Sequence, residues 1–173
     1  MDFWVPEAMV TEGRVPVDLS GTVFRNGPGL FEYGDNRINQ MFDGDGMITR
    51  LVFRGGRVHF KNRYVRTNDF VAEQSAGRFL RKSVFSTGNP SGGVLFNPFD
   101  FHFKNPANTA AVVWAGQLLA LNEAGLPAVL DPRTLETLRC DVRSLDPTDH
   151  ARADIRTDYF HAHHRVSRGC MQR

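Results

Sequence analysis

The sequence has 173 residues, 41% of them hydrophobic, and a formal net charge of +2. That length suits one domain with a real core. Acidic and basic residues are interspersed, which excludes the concentrated basic stripe of a nucleic-acid binder, and no apolar run approaches the ~18 residues of a membrane span.

Two cysteines, Cys140 and Cys170, are too few for a disulfide framework and read as reduced thiols of an intracellular protein. The start, Met1-Asp2-Phe3-Trp4, is acidic and aromatic, unlike a signal peptide or an Arg-rich transit peptide. The compartment stays open, and a plastid is the expectation if the source is photosynthetic. Fourteen phenylalanines and sixteen glycines point to aromatic strands broken by turns.

In chain order, residues 1–20 show no periodicity and read as a lead-in. A strand is expected over Thr22–Arg25, then a turn at Asn26-Gly27-Pro28-Gly29. Met41-Phe42-Asp43-Gly44-Asp45-Gly46-Met47 invites a calcium reading. An EF-hand loop starting at Asp43 would need a Glu at its twelfth position, where Arg54 stands, so that reading is rejected. A tight turn is expected instead, with glycines at positive φ and aspartates bonding the local backbone. Ile48–Phe53 and Val58–Val65 flank Gly55-Gly56 as a hairpin. Thr67–Ser83 is the one helical stretch, with Arg78, Arg81 and Lys82 as a solvated face. Residues 88–98 read as a loop. Thr109–Trp114 and Gln117–Asn122 form a second hairpin around Ala115-Gly116. Leu126–Leu130, the turn Asp131-Pro132-Arg133-Thr134, and Leu135–Val142 extend it into a meander. Repeated antiparallel meanders suggest propeller blades.

Near the C-terminus, Phe160-His161-Ala162-His163-His164-Arg165 holds half of the six histidines. As a strand it would set His161 and His163 on one face. Neutral imidazole ligates iron, zinc or copper. A zinc site of His161, His163 and Cys170 matches structural zinc spacings poorly.

Several segments in order resemble one family. They are Leu19-Ser20-Gly21-Thr22-Val23-Phe24-Arg25-Asn26-Gly27-Pro28, Phe42-Asp43-Gly44-Asp45-Gly46-Met47, and Asn62-Arg63-Tyr64-Val65-Arg66-Thr67. Asn108-Thr109, the run Leu119–Pro127, Leu130-Asp131-Pro132, Thr134-Leu135-Glu136-Thr137 and Phe160-His161-Ala162-His163 follow. Over residues 19–165 the chain resembles the carotenoid cleavage oxygenases, the family that also contains the visual-cycle retinoid isomerase. Residues 166–173 read as an atypical tail of a single partial domain spanning 1–173.

The resemblance implies an all-β fold of antiparallel meander blades, the first third of a seven-bladed propeller. It implies an iron(II) ion held on the axis by four histidines and reached by a hydrophobic tunnel. The implied activity is O₂-dependent cleavage of a conjugated double bond in a carotenoid or apocarotenoid, giving two carbonyl products. Association with a membrane surface is an expectation of the same kind. By this resemblance His163 is the first iron ligand, and Glu123 is a carboxylate that orients a later ligand histidine through its ring N–H. His161 falls at a variable position, Asp43, Asp45, Arg25 and Asn26 are structural, and His59, His102 and His150 match no ligand position.

The pattern also breaks. His164 stands where the family has Pro, and Ser167 where it has Asp. Family members are roughly three times this long, so a truncated gene model or fragment is expected, inactive on its own. The competing reading is a non-catalytic propeller-derived module that binds a lipid-like ligand or partner protein.

Overall fold

The structure, a computed structural model, describes residues 1–85, 103–123, 125–140, 165–167 and 170–172. From the N-terminus, β1 (Asp2–Trp4), β2 (Gly21–Leu30), the small hairpin of β3 (Glu32–Tyr33) and β4 (Asn36–Arg37), β5 (Asp45–Arg54) and β6 (Arg57–Tyr64) precede helix α1 (Asn68–Ala76). Then come β7 (Ala110–Trp114), β8 (Gln117–Asn122), β9 (Gly125–Leu130) and β10 (Thr137–Arg139), followed by the antiparallel pair β11 (Arg165–Ser167) and β12 (Cys170–Gln172). The described chain is thus antiparallel β with one short helix. No described helix is long and apolar enough to cross a membrane.

The first sheet has the order β1-β6-β5-β2. Its central hairpin turns at Gly55-Gly56, both at positive φ (55° and 74°), with Arg54 paired to Arg57. This is the two-residue turn whose twist matches the flanking strands. The expected turn at Asn26–Gly29 is not there: β2 runs straight through it, with Asn26 opposite Ile48 and Pro28 opposite Gly46. Pro28 is tolerated because β2 is an edge strand, where a missing N–H breaks no ladder. The lead-in segment holds β1, which pairs Phe3 with Phe60 and Trp4 with His59. Three residues are too few to show a period.

The second sheet is a plain meander, β10-β9-β8-β7, with its first hairpin at Ala115-Gly116 as expected. Asp131 Oδ1 accepts from the N–H of Arg133 (2.7 Å) and Thr134 (2.6 Å), which closes the expected turn. Those bonds hold its carboxyl below the usual range.

Alternation explains the core. Leu118, Ala120, Ala128 and Leu130 lie on one face of the second sheet and pack with Ile48 and Phe24 of the first. Val65, Ala107 and Leu135 complete that cluster. Leu119, Leu121, Val129 and Trp114 occupy the opposite face and are also buried. Cys140 is a free thiol at the margin of the core.

Helix α1 is half the length expected. Thr67 Oγ1 caps it by accepting from Phe70 N at 3.1 Å, and Gly77 stops it in the left-handed conformation. Arg78, Arg81 and Lys82 therefore lie beyond the helix rather than on its face. Arg81 instead reaches Asp69 at 3.6 Å.

Candidate functional site

The Phe42–Met47 signature is not a local turn. Met41–Asp43 is one 3₁₀ turn, and β5 begins at Asp45. Gly44 has φ −66°, and Gly46 is likewise outside the positive-φ region. Both glycines are needed for close approach. A Cβ on Gly44 would run 2.6 Å from the Phe31 ring, and one on Gly46 would strike the Ala107 carbonyl oxygen. Gly46 N donates to Pro106 O at 2.8 Å, so here the strand lies directly against the segment leading into the second sheet.

The two aspartates also reach far along the chain. Asp43 Oδ1 accepts from Phe85 N at 3.1 Å. Asp45 Oδ2 receives Lys104 Nζ at 2.8 Å, and Glu73 Oε2 receives the same ammonium at 2.6 Å. All three side chains are at most 1% exposed. Glu73 Oε1 also accepts from Leu80 N and Arg81 N, which anchors the chain leaving α1. Burial pushes the Asp45 carboxyl up to about 6; Lys104 opposes that shift, and Glu73 and Asp69 add to it. Tyr33 is pushed above its ordinary value by burial and by the Asp45 and Glu73 carboxylates. Tyr33 Oη and Asp45 Oδ1 have no hydrogen-bond partner among the described residues.

Beside this cluster opens a cavity of about 430 Å³. Its wall is built from Asn26, Gly27 and Pro28 of β2, from Phe42 and Asp43, from Ser83–Phe85, and from Lys104, Pro106, Asn108 and Thr109. Asn122 and Glu123, at the end of β8, close it. Phe42 and Phe85 meet at 5.6 Å between ring centroids and give the mouth an apolar rim. Asn108 is a structural hub. Its Nδ2 donates to the carbonyls of Phe42 and Gly44, each at 2.7 Å, and its Oδ1 accepts from Asn122 Nδ2 at 3.3 Å. The cavity pairs an apolar floor with a few fixed polar groups, the usual chemistry of a small-molecule site.

Of the residues singled out from sequence, Glu123 is on the cavity wall. Asn26 lies there too and also braces the sheets, since its Nδ2 donates to Ala107 O and Ala110 O at 2.7 and 3.0 Å. His59 lies far along the first sheet, paired with Asp2 at 3.1 Å. His161, His163, His164, His102 and His150 lie outside the described residues. Among the described residues no three His, Cys, Asp or Glu side chains gather as a metal cage. The described part of the wall carries two carboxylates, Asp43 and Glu123. Sequence reasoning gave Lys104, Asn108 and Asn122 no role, although Asn108 and Asn122 stand in segments that carry the resemblance. No periodicity marks them, because four separated segments bring them together.

A profile described as retinal pigment epithelial membrane protein matches residues 2–171. The chain belongs to that family. It is 48% identical over 141 residues to apocarotenoid-15,15′-oxygenase of Synechocystis sp., covering 81% of this chain and 28% of that relative. Against resveratrol cleavage oxygenase 1 of Chaetomium globosum it is 36% identical over 159 residues, covering 84% of this chain and 24% of that one. The chain thus spans less than a third of the length of these family members. A solved structure of a glutamate-to-glutamine variant of Synechocystis apocarotenoid oxygenase superposes with a TM-score of 0.74 at 47% identity, covering 82% of this chain and 29% of that one. Other solved forms of that oxygenase carry a threonine-to-alanine change, a tryptophan-to-alanine change, or cobalt. The altered threonine, tryptophan and glutamate are spaced as Thr109, Asn122 and Glu123 are here. Threonine and glutamate recur; the tryptophan is replaced by Asn122.

Proposed function

We propose that this chain is part of an iron(II)-dependent dioxygenase that cleaves a conjugated double bond of a carotenoid or apocarotenoid with O₂. Each alkene carbon takes one oxygen atom, and two carbonyl products leave. The observation that carries the reading is the place of Glu123: in a chain whose relatives are named oxygenases, it stands on the wall of a cavity rimmed by Phe42 and Phe85. Relatives named as oxygenases do not favour the reading of a purely binding module.

In this proposal the two sheets are blades of a seven-bladed propeller completed by chain that this sequence does not span. His163 is one of four histidine ligands, and bound iron(II) supplies the activation of O₂. Glu123 accepts a ring N–H from a ligand histidine, fixing its tautomer and direction. Phe42, Phe85, Pro28 and Val84 exclude water from the substrate and orient it by contact. Asp43, Asp45 and Lys104 keep that wall in place.

The test uses the protein at the full length of its relatives, loaded with iron(II) and given an apocarotenal and O₂. Two carbonyl products are expected. His163→Ala should lose the metal on dialysis, and Glu123→Gln should lower metal affinity or turnover by about 10–100-fold. Full iron retention by His163→Ala would remove it from the ligand set. The chain of residues 1–173 alone should show no turnover.

A further inference from the structure

We propose that a second cavity, set apart from the one described above, binds a phosphate monoester through Arg66. The proposal stands independently of the oxygenase reading.

This cavity, of about 520 Å³, opens where the end of β6, helix α1 and the entry to β10 meet. It shares no lining residue with the first. Its chemistry also differs. Two guanidinium groups, Arg63 and Arg66, stand beside the Gln74 amide and the Thr137 hydroxyl. Glu136 is the one carboxylate among the lining residues, so two arginines against one glutamate leave the wall with a net charge of +1.

The two arginines are engaged differently. Arg63 Nη1 pairs with Glu136 Oε1 at 3.1 Å, with both side chains about half exposed. The Arg66 guanidinium makes no hydrogen bond or ion pair with any described residue. It lies over the Phe70 ring, 5.9 Å from the centroid. Its backbone is fixed: the N–H donates to Thr137 Oγ1 at 2.9 Å, and the carbonyl accepts from Cys140 Sγ at 3.5 Å. A ring under a guanidinium covers one face and leaves the in-plane N–H donors for an acceptor. Thr137 Oγ1 accepts from Arg66 N, so its own hydrogen stays available to donate.

A phosphate monoester matches this set of donors. A guanidinium meets two of its oxygens in parallel, in short charge-assisted hydrogen bonds. A third oxygen is left for Arg63, where it competes with Glu136. The organic part of the ester lies on an apolar floor of Tyr64, Phe70 and Leu135, whose two rings stack at 5.7 Å between centroids.

The experiment uses the protein at the full length of its relatives, titrated calorimetrically at low salt with phenyl phosphate, and with phenol as the uncharged control. Saturable binding of phenyl phosphate is expected, and none of phenol over the same concentrations. Arg66→Gln should weaken binding about tenfold or more, with an unchanged unfolding temperature. Glu136→Gln should instead tighten it about threefold, because the charge that competes for Arg63 is gone. Residues that merely hold the fold would not give opposite changes. Vesicles of phosphatidylcholine with and without phosphatidic acid are sedimented in parallel. Sedimentation with the acidic vesicles that Arg66→Gln abolishes assigns the phosphate to a lipid headgroup; phenyl phosphate binding without sedimentation assigns it to a soluble ester. No saturable binding of phenyl phosphate, binding that survives Arg66→Gln, or binding weakened by Glu136→Gln would overturn the proposal.

Discussion

The two sheets bury their strands differently. The second carries Leu118, Ala120 and Leu130 on one face and Leu119, Leu121 and Val129 on the other, and all six are at most 1% exposed. The first sheet packs Phe24 and Ile48 against the second. Its other face, with Phe3, Leu51, Phe53, Val58 and Phe60, is half-buried, and Val23 is 45% exposed. The second sheet is therefore interior, and the first is a wall with an apolar outer side. Alternation along a strand does not by itself reveal this. Both sheets read as apolar, and only packing shows which one has neighbours on both faces.

This contrast can be broken or sharpened by substitution, with chemical unfolding as the measurement. The largest effect is expected at the joint between the sheets. Lys104→Met leaves Asp45 and Glu73 facing each other without their cation and should cost about 3–5 kcal/mol. A cost below about 1 kcal/mol would mean that the triad does not hold the joint. Next, Leu130→Ala in the interior sheet should cost about 2–5 kcal/mol, and Leu51→Ala on the half-buried face clearly less. Equal losses would erase the distinction. Gly46→Ala forces a methyl against the Ala107 carbonyl and should cost about 1–3 kcal/mol. Thr67→Ala removes the cap of α1 and should cost about 1 kcal/mol, without altering either sheet.

The smallest effect is in pH dependence. The folded Asp45 carboxyl titrates near 6, above its ordinary 3.8, so over that window the folded state holds the proton that the unfolded chain has lost. Its contribution is complete below the ordinary value, declines as pH rises toward about 6, and is flat above. Stability of the native protein relative to Asp45→Asn should follow that curve. A difference that grows with pH between 4 and 6 would contradict the assignment.

Much of the fold was legible where local chemistry and long-range pairing agree. Gly55-Gly56 and Ala115-Gly116 mark their hairpins because a two-residue turn needs those backbone angles. Family resemblance brought Glu123 to notice, and the structure sets it on the cavity wall. Other features were hidden for physical reasons. Pro28 looks like a turn residue, yet an edge strand tolerates it. Gly44 and Gly46 look like turn glycines, yet they serve contacts with Phe31 and Ala107 that are distant or non-local in sequence. Lys104, between Phe103 and Asn105, carries no sign that it will be buried with two carboxylates. Asn122 looks like an ordinary strand-end residue until the neighbouring segments fold around it.

The pair of aspartates in the signature has a consequence for how this architecture tolerates change. Asp43 fastens the chain at Phe85, and Asp45, two residues on, fastens it at Lys104. Phe85 and Lys104 are thereby held to two positions that lie two residues apart, so a substitution that shifts the backbone of the signature moves both anchors at once, and with them the part of the cavity wall that Phe85 and Lys104 line.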